Sequence, residues 1–232
     1  DLTLDVDREL SPANPQGPSA AGLILDLRRS VDGNEFSITE LANAFLGKGT
    51  ISVQRGQDAE PKRVINASWP DHSENLPLVV LVDGLTVNGA EIVAAALQDN
   101  GRAIIIGSST LGDGLVEKNV SLYNMGVIRM PVARAYAPSG YGISGRGVLP
   151  NVCTSLDGVT FDATMAALRR GEGLTAQVDR TRDIDPEDRQ ALAAHRALCP
   201  AVVDEGDLAL DLARAILNDP SLYARLIAEA GS

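Results

Sequence analysis

The 232-residue chain predicts an α/β fold in which a mixed sheet is covered by helices. Three observations carry that expectation. Short apolar runs bounded by Gly and Asn turns alternate with amphipathic segments of helical length, the pattern of βαβ crossovers. Hydrophobic residues make up 44% of the chain but aromatics only 3%, so the core must be built from Ala, Val, Leu and Ile, which suits a sheet buried beneath helices. From Val159 onward the apolar period is helical throughout, which predicts a helical C-terminal appendage.

Each element follows in order. Leu2, Leu4 and Val6 alternate as in a short edge strand, and Ser11-Pro-Ala-Asn-Pro-Gln-Gly-Pro-Ser then breaks any regular structure. The continuous apolar run Gly22-Leu-Ile-Leu-Asp-Leu-Arg28 predicts a strand buried on both faces, followed by a Gly-containing turn and a helix from Ile38 to Leu46. Ile51 to Arg55 and Val64 to Ala67 are short strands, and 69–75 is a surface loop. Pro77 to Val82 leads through a Gly/Asn turn into a helix from Ala90 to Asp99, which Asn100-Gly101 stops before the strand Ala103 to Ile106. Val116 to Tyr123 and Val127 to Tyr136 form a hairpin, and 138–150 is a Gly-rich loop. Helices are predicted at Phe161 to Arg170, Pro186 to Leu198, Asp207 to Leu217 and Pro220 to Ala230, with Asp207 and Asp219 as helix starts.

Charge and composition exclude several functions. A net charge of −11 with no basic tract disfavours nucleic acid and anionic membrane surfaces, because counterion-release binding needs clustered Lys and Arg. No apolar run approaches the roughly 20 residues that span a bilayer. The first residue is Asp1 and no targeting segment is evident, as expected of a processed form or a piece of a longer chain. His72 and His195 are too few and too scattered for a metal site, and no cofactor motif occurs. Cys153 and Cys199 are either one bridge closing a long loop or two buried thiols; their count alone leaves both open.

Five ordered segments carry a family resemblance. They are Gly22-Leu-Ile-Leu-Asp-Leu-Arg28, Pro77-Leu-Val-Val-Leu-Val82, the run from Ala90 to Gly107, Tyr136-Ala-Pro-Ser-Gly140, and Gly145-Arg-Gly-Val-Leu-Pro-Asn-Val152. Over residues 21–152 the chain resembles the catalytic core of the carboxyl-terminal processing, or tail-specific, peptidases of the S41 serine family. The resemblance implies a ClpP/crotonase-like core, no cofactor, a polypeptide ligand and a periplasmic or extracytoplasmic setting, which a Cys153–Cys199 bridge would fit. It divides the chain into a strand and linker over 1–20, the core over 21–152 and the helical extension over 153–232. The PDZ domain that usually precedes the core in the family has no counterpart within these 232 residues.

The same resemblance places the nucleophile three residues before a helix-opening Glu and the general base in a Thr-Phe-Gly-Lys-Gly loop. Counting back from Glu91 gives Asn88, the loop reads Thr110-Leu-Gly-Asp-Gly114 with Asp113 at the lysine position, and the interval of 25 residues has the family's spacing. A Ser/Lys dyad works because a desolvated lysine of lowered pKa accepts the hydroxyl proton as serine attacks the peptide carbonyl. A carboxamide can only hydrogen-bond. Asp113 is a weak base at neutral pH unless burial raises its pKa. Lys118 is a poor substitute because strand alternation turns it away from Asp113. Thr86 is the alternative nucleophile. Ser108 and Ser109 are read as strand-end turn residues.

Oxyanion-hole amides are implied at Gly89 and in the turn after Arg28, where Ser30-Val-Asp-Gly33 lacks the family's proline and first glycine, so that Asp32 puts a carboxylate beside Gly33 and opposes negative charge. Asp99 matches an aspartate that supports the family's active site. The expectation is therefore a pseudo-peptidase that retains a peptide-binding or scaffolding role. Two rivals remain: a hydrolase with a non-standard site built on Thr86, or on Asp113 with Asp99, and a homo-oligomerisation module joined through the tail after Val159.

Overall fold

The computed structural model describes residues 21–31, 35–56, 63–68, 70–73, 75–123, 126–172, 184–185, 187–203 and 206–230. The expected strand and linker over 1–20 and the pair Asp32 and Gly33 lie outside these residues. Chain order runs β1 (Leu23–Asp26), α1 (Glu35–Phe45), β2 (Thr50–Gly56), β3 (Arg63–Asn66), β4 (Leu78–Val82), α2 (Gly89–Asp99), β5 (Ile104–Gly107), β6 (Leu115–Leu122), β7 (Gly126–Tyr136), β8 (Val152–Cys153), then α3 (Phe161–Arg169), α4 (Arg189–Ala197), α5 (Leu208–Leu217) and α6 (Pro220–Ala230).

Parallel and antiparallel pairings segregate into two sheets. One is parallel, in the order β1-β4-β5-β8, and the other antiparallel, in the order β3-β2-β7-β6. The continuous apolar runs are explained by the first sheet: every residue of β4 and β5 is buried, so both faces of the strand must be apolar. Strand alternation then sends successive side chains to two different cores. Leu78, Val80, Val82 and Ile105 face α1, α2 and the antiparallel sheet, meeting Phe45, Ile51, Val93, Leu97 and Ala135. Val79, Leu81, Ile104 and Ile106 face the other way, onto Met165 and Leu168 of α3, Leu212 and Ile216 of α5, and Leu222 and Leu226 of α6.

Helices α3, α5 and α6 thus cover one face of the sheet. Tyr223 of α6 anchors them further, its hydroxyl accepting the Leu78 N–H at 2.8 Å. Their apolar stripes are buried within the same chain.

Local chemistry explains the boundaries. α4 starts at Arg189, where the Asp188 carboxylate caps it, accepting the amides of Gln190 and Ala191; the expected start at Pro186 lies outside the described residues. Asp219 caps α6 by accepting Leu222 N–H at 3.1 Å, whereas Asp207 makes no side-chain cap on α5. The two-residue strand β8 is too short to leave a sequence pattern. It is extended in effect by Asn151, whose Oδ1 accepts the Ile105 N–H at 2.9 Å where a strand partner would otherwise be needed. Among the described residues, no helix is long and apolar enough to cross a membrane.

Candidate functional site

The turn from β4 into α2 carries the site. Asp83, fully buried, organises it: its Oδ1 accepts the amides of Leu85 and, from the turn after β1, of Arg29, both at 3.0 Å. Val87 donates its amide to Ser30 O at 2.9 Å, tying the two turns together. This brings the chain that follows β1 beside Asn88, as an oxyanion turn would require, although Asp32 and Gly33 themselves lie beyond what is described.

Asn88 then takes a backbone conformation of φ 53° and ψ −116° as it caps α2. A non-glycine residue there is strained, and such strain persists only where surrounding contacts enforce it. The enforcing contact is Glu91, whose Oε2 accepts the Asn88 N–H at 3.1 Å. Asn88 Oδ1 is buried and faces the Glu91 N–H in a capping-box arrangement, without closing a full hydrogen bond to it. Asn88 and Gly89 line a narrow, partly enclosed groove of about 60 Å3 whose walls are Ile38 and Thr39 of α1, Ser52 and Gln54 of β2, Ile65 of β3 and Leu115 to Glu117 of β6.

Glu91 is the residue that sequence reasoning used as a landmark without assigning it a role. It is fully buried in a helix otherwise rich in Ala. Its carboxylate gathers five donors: the Asn88 amide, the Thr110 hydroxyl at 2.5 Å, and the amides of Gly112, Asp113 and Gly114 at 2.6, 3.0 and 3.2 Å. Burial pushes its carboxyl above the ordinary value, and the hydrogen bonds from Thr110 and the three loop amides pull it back. One carboxylate therefore fastens the Asn88 turn to the loop that holds Asp113. The available signal was the Asn-x-x-Glu capping box, in which the Glu of an apolar helix has no solvent to reach.

The loop itself is bent sharply at Gly112 and Gly114, with φ of 86° and 54°, and a side chain at Gly114 would collide with the Ser144 amide. Asp113 is partly exposed, and burial together with the nearby Glu117 raises its carboxyl above the usual range. Its backbone and that of Asn88 bind the same Glu91 oxygen, so the two positions are neighbours; Asp113 is not among the groove-lining residues.

Other expected positions fall elsewhere. Thr86 is fully buried, its hydroxyl donating to Leu27 O and accepting the Asp83 amide, each at 2.9 Å. It does not line the groove, and its proton is committed to a carbonyl. Asp99 sits at the far end of α2, about 16 Å along the axis from Asn88 at 1.5 Å per residue, where it accepts the Ser139 amide at 2.9 Å. Asp99 and Asp113 are thus not brought together around a common water. Lys118 is exposed on β6.

A strap from the C-terminal region crosses the ends of the parallel strands. Cys153 and Cys199 are disulfide-bonded in the structure. Ser109 donates to Cys199 O, Ser108 to Val202 O at 2.9 Å, and Gly84 N–H to the same Val202 oxygen at 2.7 Å. A side chain at Gly84 would press on the Val202 backbone at about 3.0 Å. Ser108 and Ser109 are anchors for this strap. Arg196 holds the loop from outside by donating to Leu111 O at 2.8 Å. The neighbouring His195 is buried with its pKa lowered to about 4 by desolvation, then by the charges of Arg146 and Arg196. Among the described residues, no cluster of three or more His, Cys, Asp or Glu forms a metal site.

Comparison with known proteins accords with this geometry. The model of peptidase family S41 matches residues 5–154. A carboxy-terminal-processing protease of Bartonella bacilliformis is 37% identical over 131 residues, 56% of this chain and 30% of that protein. A carboxyl-terminal-processing protease of Picosynechococcus is 32% identical over 149 residues, 63% of this chain and 34% of its own length. Among solved structures, a photosystem II D1 C-terminal processing protease superposes with a TM-score of 0.54 at 30% identity, over 64% of this chain and 38% of that one. The chain spans about a third of the length of these curated relatives. With both sheets, the β4–α2 turn and the loop after β5 inside the matched span, this chain belongs to peptidase family S41.

Proposed function

We propose that this domain is a catalytically silent S41 domain which binds an extended polypeptide segment in the groove beside Asn88. The observation that carries the reading is the pairing of an intact scaffold with absent chemistry. Asn88 holds a strained turn at the mouth of α2 and Glu91 fastens that turn to the loop of Asp113, yet neither side chain can serve as an alkoxide nucleophile and its amine base. β6, an edge strand bordering this groove, offers unpaired main-chain groups to which an extended chain can add. The disulfide favours an oxidising compartment, so the periplasm or another extracytoplasmic space is the setting.

A rival reading rests on Asp113, whose raised carboxyl pKa is the direction an acid–base role requires. Hydrolysis through Thr86 has less support, since that hydroxyl is buried and engaged.

The deciding experiment incubates an unfolded protein substrate with the parent chain and, in parallel, with the double substitution Asn88→Ser and Asp113→Lys. A parent that is inert yet retains fluorescently labelled extended peptides in an equilibrium binding assay supports the proposal, and cleavage by the doubly substituted chain would show that only the dyad was missing. Cleavage by the parent, abolished by Asp113→Asn, would establish the hydrolase instead.

A further inference from the structure

Two asparagine–glycine dipeptides bracket α2: Asn88-Gly89 at its start and Asn100-Gly101 at its end. Both have the smallest following residue, so sterics around the attacking amide do not distinguish them. Their backbones do. We propose that Asn88-Gly89 is a built-in deamidation site, converted in the folded protein to aspartate and isoaspartate while Asn100-Gly101 is spared.

The step is cyclisation. The Gly89 backbone nitrogen attacks the Asn88 side-chain carbonyl carbon, Cγ, losing its proton as the new N–C bond forms. The bond from Cγ to Nδ2 breaks and ammonia leaves with that proton, giving a five-membered succinimide. Water then opens the ring at either carbonyl, restoring the chain as aspartate or rerouting it through the side chain as isoaspartate. No oxidant or cofactor is involved.

Ring closure requires the Gly89 nitrogen to lie nearly in line with the Cα–Cβ bond of Asn88. At an L-residue, Cβ is offset from the backbone nitrogen by roughly 120°, from tetrahedral geometry at Cα. A ψ of −116° therefore swings the next nitrogen almost onto the Cα–Cβ bond, a conformation ordinary asparagines seldom visit because it eclipses the two. The strain that Glu91 enforces at this turn is thus strain toward the cyclic intermediate. Position helps in three further ways. Gly89 is the first helical residue, where helix geometry supplies its amide with no acceptor. The positive end of the helix stabilises the amide as it gives up its proton. The groove beside Asn88 admits water for ring opening.

Asn100 lacks the eclipsing angle, the acceptor-free amide and the place at a helix start. Its ψ of 4° turns the Gly101 nitrogen well away from Cβ. Its Nδ2 donates to Thr50 O at 2.9 Å and Ala96 O at 2.8 Å, which pins the side chain. The Gly101 amide is already donated to Gln98 O at 3.0 Å. The same dipeptide therefore serves as an internal control.

The experiment incubates the chain at mildly alkaline pH, folded and in denaturant, and maps peptides by mass spectrometry for replacement of NH by O, with isoaspartate confirmed by enzymatic methylation. In the folded chain Asn88 should convert at least about tenfold faster than Asn100, a modest share of what fixed geometry can contribute, and in denaturant the ratio should fall to about 1. Equal rates in the folded chain overturn the proposal. So does an Asn88 that stays intact while the denatured chain converts, or chain scission after Asn88 in place of conversion. These readouts need neither peptide binding nor cleavage, so the inference stands or fails apart from the functional reading.

Discussion

The two faces of the parallel sheet are built on opposite terms. The face under α3, α5 and α6 is an apolar interface in which Leu212, Ile216, Leu222 and Leu226 meet Val79, Leu81, Ile104 and Ile106. The face under α2 has an apolar layer of similar make-up, but a fully buried carboxylate at Glu91 and a strained Asn88 with an unpartnered oxygen stand at its edge. The first arrangement maximises stability. The second gives some of it up to hold one turn and one loop in fixed relation. A buried polar hub is worth its desolvation only when every donor around it is satisfied, and here one carboxylate satisfies five.

Three substitutions would sharpen or break that contrast. The largest effect belongs to the apolar face. Ile216→Ala should lower the unfolding free energy by about 4 kcal/mol, the transfer loss plus the cavity left by a fully buried side chain, while leaving peptide affinity at the groove unchanged in a binding assay. A loss of binding would mean that the two faces are coupled through the sheet.

Glu91→Gln comes next. A carboxamide presents only one acceptor oxygen, and its Nε2 would point donors at amides that are donors themselves, so about 3 kcal/mol should be lost in chemical denaturation. Hydrogen exchange should rise at Gly112, Asp113 and Gly114 first. Unchanged exchange in that loop would show that Glu91 does not hold it.

The smallest effect has the opposite sign. Asn88→Gly removes the strained φ of 53° and the unpartnered Oδ1 together, and should raise stability by about 1 kcal/mol. Stabilisation by deleting a groove side chain marks a position kept for something other than folding. A neutral or destabilising outcome would mean that the Asn88 side chain supports the turn.

Much of this architecture was legible in the sequence, for identifiable reasons. Strands β4 and β5 are buried on both faces, so their runs are unbroken, and α2 carries start and stop signals at Asn88 and Asn100. What escaped was short or distant. β8 has two residues and no period, and its place depends on Asn151 reaching Ile105. The family resemblance places Asp99 with the site, but a helix separates its ends by its own length, so Asp99 stands about 16 Å along the axis from Asn88. Thr86 is near Asn88 in sequence, yet the sharp turn that Asp83 organises directs its hydroxyl into the protein.

By itself the sequence determined the α/β class, the S41 family, the identity of the residues at positions 88 and 113, and the interval between them. The class depends on local period and the residue identities on side-chain chemistry, while the family rests on the resemblance of five ordered segments, all of which a linear string records. Only the tertiary structure decided that Glu91 joins the two loops, that the C-terminal helices close the second face of the sheet, and that Asn88-Gly89 differs from Asn100-Gly101. Each of those depends on which groups from distant segments are left facing one another once water is excluded, and on the backbone angles that their packing imposes.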